Sequence, residues 1–85
     1  MPRYELELLP SAKRGLAGLD GSVRKRVAAR IDALCEEPRP SGCKKLAGSD
    51  YWRIRIGDYR VLYSIEDAKL TVLVVRVGHR REVYR

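Results

Sequence analysis

Three arginines fall within ten residues of the chain, in the run Tyr51-Trp52-Arg53-Ile54-Arg55-Ile56-Gly57-Asp58-Tyr59-Arg60. A guanidinium group stays protonated and offers paired N–H donors to phosphate oxygens, so its chemistry is the binding and stabilising of negative charge. Gly57-Asp58 suits a two-residue hairpin turn with glycine at the first central position, which places Ile56 opposite Tyr59 and Arg55 opposite Arg60. Side chains alternate along strands, so Arg53, Arg55 and Arg60 share the face turned away from Trp52, Ile54 and Ile56. Like charges directly opposite each other destabilise a hairpin by up to about 1 kcal/mol, and a bound anion relieves that cost. Lys44, Lys45, Arg76, His79, Arg80 and Arg81 stand where neighbouring elements extend the patch, and a phosphate backbone is the natural ligand. Any one of these arginines alone is better explained as a device that keeps an exposed strand soluble and discourages edge pairing. The clustered trio is not.

The other groups able to do chemistry are few. Trp52, Tyr59 and Tyr63 fall on core-facing positions and read as packing. Tyr51 falls on the arginine side and Tyr84 near the C-terminus, where either ring can stack on an unpaired base. His79 carries an imidazole of the kind that can move a proton, although a lone exposed histidine is more often chemically idle. Cys35 and Cys43 are eight residues apart with one distant histidine, which does not match zinc-ligand spacing. They read as free thiols, and neither a metal nor a cofactor is expected.

These side chains need elements to position them. Arg3 to Leu9 alternates with Tyr4, Leu6 and Leu8 on one side, the period of a half-buried strand. Pro10 and Ser11 open a short helix carrying Ala12, Leu16 and Leu19, which Asp20-Gly21 closes. Ser22 is the expected N-cap of a longer helix, with Val23, Val27, Ile31 and Leu34 as its apolar stripe. Its basic face, with Arg24, Lys25, Arg26 and Arg30, reads as a solvated surface. Pro38 ends it near Glu37. Segments at about 51 to 56, 59 to 66 and 70 to 77 then form an antiparallel meander, the last of them apolar on both faces as befits a central strand. The expected architecture is α+β: an N-terminal strand, a two-helix hairpin and a three-stranded meander, with both helices on one sheet face and the other face open.

The chain of 85 residues is expected to form one domain, near the lower size limit for a self-sufficient core. Eighteen Lys and Arg against eleven Asp and Glu give a formal charge of +7, which favours a polyanionic ligand, nucleic acid or an acidic protein. No apolar run reaches the length of a signal core or a membrane span, so a soluble cytoplasmic protein without membrane contact is expected.

The run from Tyr51 to Tyr63, followed by Val77-Gly78-His79-Arg80-Arg81-Glu82-Val83-Tyr84, closely resembles the C-terminal half of RelE/ParE superfamily toxins. The opening strand, the helical pair with Leu19-Asp20 at its turn, and Lys45-Leu46-Ala47-Gly48 are similar to that family too. The resemblance implies a toxin of the RelE-like branch, a microbial RNase fold that enters the ribosomal A site, cleaves messenger RNA and is restrained by a cognate antitoxin. Operator DNA would be met only through that antitoxin. It also implies roles: Arg53 and Arg55 contact the RNA, Arg60 and Arg80 hold the scissile phosphate, and Tyr84 stacks on a base and assists proton transfer. Cleavage would run through the ribose 2′-hydroxyl and use no metal. Arginine stands at 53 and 55 where lysines can stand in the family, so Tyr84, His79, Glu82 or ribosomal groups would have to move the protons. The same fold also carries ParE-like inhibitors of DNA gyrase and inactive relatives that only bind an antitoxin, so fold alone does not choose among these.

Overall fold

The structure, a computed structural model, describes residues 3–79. In chain order it contains β1 (Glu5–Leu8), α1 (Pro10–Ala17), α2 (Gly21–Ala33), β2 (Lys44–Lys45), β3 (Tyr51–Ile56), β4 (Tyr59–Glu66), a single 3₁₀ turn (Asp67–Lys69) and β5 (Thr71–His79). The five strands form one sheet in the order β1-β5-β4-β3-β2. β1 runs parallel to β5, and all other pairs are antiparallel. The apolar run of β5 therefore does lie inside the sheet, between β1 and β4.

Both helices cover one face. Val27 and Ile31 of the longer helix, Leu34 at its C-cap and Ala12 of the shorter one join Ile54, Ile56, Val61, Tyr63, Val72, Val74 and Val77 in one buried cluster. Burying these branched and aromatic side chains stabilises the fold by roughly 1.5–3 kcal/mol for each large one. The Tyr63 hydroxyl is not wasted in this core: it donates to the Pro38 carbonyl at 2.7 Å, and burial pushes its pKa far above the ordinary tyrosine value.

Two helix boundaries differ from the reading of the sequence. Asp20, not Ser22, occupies the N-cap of α2, because the helix opens two residues earlier, at Gly21; the Ser22 hydroxyl donates instead to Asp20 Oδ2 at 3.0 Å. The α-helix stops at Ala33 rather than near Glu37. Leu34, Cys35 and Glu36 each donate to the carbonyl three residues back, tightening the last turn into 3₁₀ geometry before Pro38.

Alternation did not reveal β2, a two-residue strand that pairs Lys44 with Arg53 and Lys45 with Trp52. Two residues are too short for any period to show, yet their effect is large. β2 covers the flank of β3 and makes it an interior strand.

β5 contains a bulge. Leu62 pairs with Arg76 and Tyr63 with Val74, so Val75 has no partner in β4. One inserted residue reverses which side each following side chain faces.

Candidate nucleic-acid interface

The hairpin register is the expected one, with Arg55 opposite Arg60 and Ile56 opposite Tyr59. Gly57 has φ +61°, and Asp58 has no positive φ, the combination that a II′ turn demands and that glycine adopts without strain. From this register the side chains away from the helices fall into rows across the sheet. One row contains Lys44, Arg53, Leu62 and Arg76; the next, about 7 Å nearer the hairpin tip, contains Arg55, Arg60 and Gly78. Five basic residues thus share one face. Neither row holds a carboxylate or an imidazole.

That face is not open throughout. Arg53 is only 8% exposed and Leu62 only 7%, so the row has a buried centre. The reason is β2: with Lys44 on one side and Leu62 on the other, Arg53 lies in the interior of the sheet. An arginine that protects an exposed edge is therefore not the explanation of Arg53. Its Nε has no hydrogen-bond acceptor among the described residues. A buried charged donor without an acceptor is costly, and an anion above the row would satisfy it. The apolar Leu62 at period two on the arginine side was the signal in the sequence that this face is partly covered.

The structure separates some residues that were grouped together. Lys45 pairs with Trp52 and so takes the side of the sheet opposite the arginine rows; with Arg39, Trp52 and Ile65 it lines part of a cleft of about 640 Å³ at this end of the sheet. His79 also faces the helix side: it pairs with Tyr59, and the two rings meet edge to face at 5.8 Å. The Val75 bulge is the cause, because unbroken alternation would have put His79 with the arginines and Arg76 in the core. Tyr51 is on the arginine side as expected, 40% exposed, in the row with Ser64 and Leu73. Arg80, Arg81 and Tyr84 lie outside the described residues. Among the described residues no three His, Cys, Asp or Glu side chains converge as metal ligands.

A second polar cluster braces the helix side. Arg39 stacks over Trp52 at 5.2 Å and donates to both carboxylate oxygens of Asp67, while the Tyr4 hydroxyl donates to Asp67 Oδ1 at 2.6 Å. The Arg39 guanidinium first, and the Tyr4 hydroxyl second, hold the Asp67 carboxyl below the usual carboxylate range. The same contact raises the Tyr4 phenol. Arg3 likewise ties the start of the chain to Asp32 and Glu36. These exposed pairs position loops and do not compete with the arginine rows.

The model of the family described as ParE toxin of type II toxin-antitoxin system, parDE, matches residues 6–84. The chain belongs to this family. Toxin RelG of Mycobacterium tuberculosis is 45% identical over 96% of this chain and 97% of its own. The mRNA interferase toxin RelE of Escherichia coli K12 is 29% identical over 95% of this chain and 90% of its own. Among solved structures, the RelBE2 toxin-antitoxin complex of M. tuberculosis matches with a TM-score of 0.82 at 31% identity, covering 92% of this chain and 99% of that one. The archaeal RelE-RelB complex from Pyrococcus horikoshii matches with a TM-score of 0.82 at 27% identity, covering 98% and 100%. As a member of the toxin family, the chain has the expected α+β fold, with the sheet extended to five strands by β1 and β2.

Proposed function

We propose that this toxin is an mRNA interferase, an endoribonuclease that acts in the cytoplasm on message in the ribosomal A site and is held inactive by a cognate antitoxin. The observation that carries the reading is buried Arg53 with its unpartnered Nε, in one row with Lys44 and Arg76 and one row from the Arg55–Arg60 pair. The name of the Escherichia coli relative, mRNA interferase, supports it.

In the reaction the ribose 2′-hydroxyl loses its proton and its oxygen attacks the adjacent phosphorus. The bond from phosphorus to the 5′-oxygen breaks, and the leaving oxygen takes up a proton. Negative charge grows on the phosphoryl oxygens in the transition state, and arginines already fixed by the sheet stabilise it without reorganising. Arg60, and Arg80 beyond the described residues, hold the scissile phosphate; Arg53, Arg55 and Arg76 hold the flanking backbone. The proton carriers must come from elsewhere, with Tyr84 the first choice. Alignment of the message by the ribosome contributes orientation.

Incubation with programmed ribosomes, with mapping of message ends, tests this. Site-specific cuts are expected with the wild type, and the double variant Arg60→Ala/Arg80→Ala should lose at least ~100-fold in rate. Cuts that persist unchanged in that variant reject the residue roles. The description of the matching family as ParE favours one second reading, a protein-binding inhibitor of DNA gyrase. Potent inhibition of supercoiling with no RNA cleavage would select it.

A further inference from the structure

The bulge in β5 decides which side of the sheet receives Arg76. Val72 and Val74 are fully buried against the helices, so unbroken alternation would send residue 76 into the same core and residue 77 to the opposite face. The observed order is the reverse: Arg76 is exposed in the arginine row, and Val77 is buried at 5% exposure. The inserted Val75 has no partner in β4. Its carbonyl is instead met from the other layer, where Ser11 Oγ, in the first turn of α1, donates to it at 2.7 Å. Four residues on, and so on the same face of α1, Gly15 lies so close to β5 that a Cβ there would stand 2.0 Å from the Val77 carbonyl oxygen. α1 is thus seated at the bulge and just beyond it, at Val75 through a hydrogen bond and at Val77 through backbone contact.

We propose that Ser11 is a positioning residue for the phosphate-binding face, its hydroxyl fixing the Val75 bulge that turns Arg76 toward the arginine row. Ser11 touches no RNA and sits on the opposite side of the sheet from the ligand. It acts through the backbone of β5. The proposal rests on the reading of that face as an RNA-binding surface, and its test has one arm that does not.

The structural arm uses NMR of the full chain and reads the cross-strand contact between Leu62 and Arg76, together with amide exchange at Arg76 and Val77. Ser11→Ala should weaken that contact and speed exchange there, while Ser11→Thr, which keeps the hydroxyl, should restore both. The binding arm measures affinity for a 2′-O-methyl RNA oligonucleotide, which cannot be cut, across a salt series. Arg76→Ala should reduce the slope of log K against log salt by about 0.7, the loss of one phosphate contact on a single strand. Ser11→Ala should bind about three- to tenfold more weakly, the size of one neutral hydrogen bond. Added to Arg76→Ala, it should have little further effect, since both act through the same contact. An unchanged Leu62–Arg76 contact in Ser11→Ala overturns the positioning role, as does full additivity of the two substitutions. If the wild type does not bind the oligonucleotide at all, the RNA reading fails while the structural arm still decides the role of Ser11.

Discussion

Arg53 concentrates the tension between stability and function at the residue scale. Arg53 is only 8% exposed, and its buried Nε, lacking an acceptor among the described residues, weakens the free protein. Arg53→Met is therefore expected to raise the stability of the unliganded toxin by about 1 kcal/mol, since apolar replacements of buried charge are often stabilising. Sulfate is expected to stabilise the wild type thermally and to stabilise Arg53→Met less, and thermal melts with and without sulfate check both. Tyr63→Phe should cost about 1 kcal/mol in a urea titration, because the Pro38 carbonyl loses its donor. Asp67 supplies a pH dependence. Its pKa is depressed below the ordinary value of 3.8, so its contribution is present above that pH and is lost as pH falls through the lower folded value. Denaturation midpoints of wild type and Asp67→Asn should differ near neutral pH and converge below pH 3.8.

At the element scale, α1 and β5 act as one unit. Gly15→Ala tests their contact by setting two effects against each other. The helix itself would gain about 1 kcal/mol from alanine in place of glycine. The added Cβ, 2.0 Å from a backbone oxygen that belongs to a sheet, forces the layers apart at a cost of about 1–3 kcal/mol or more. Net destabilisation is expected, measured by urea unfolding, together with faster exchange at Val77. A net gain would show that α1 shifts easily on the sheet. The hairpin of β3 and β4 was legible from its residues alone, because Gly57 and the period of two fix a local register. β2 was not legible, since two lysines carry no period and their strand exists only because β3 offers an edge. The bulge was equally hidden: five consecutive residues from Val72 to Arg76 include four apolar ones, and either alternation satisfies that run.

Over the whole molecule, charge and shape agree. The formal charge of +7 is not spread evenly, and five of the basic side chains, Lys44, Arg53, Arg55, Arg60 and Arg76, gather on one sheet face. If all five neutralise phosphates, the slope of log K against log salt for single-stranded RNA should be roughly −3.5, at about 0.7 per contact. A slope near zero would remove the face as an RNA site. Where an antitoxin crosses this face, acidic residues are expected in the crossing segment.

The sequence by itself determined the fold class, the order of helices and long strands, and the gathering of Arg53, Arg55 and Arg60 on one face, because these follow from local periods and one tight turn. Tertiary structure alone decided that Arg53 is buried, that a bulge brings Arg76 to the expected patch, and that His79 and Lys45 leave it. Those outcomes depend on contacts between segments far apart in the chain, β2 against β3 and α1 against β5, and no local pattern of residues encodes which side of a sheet a bulge will select.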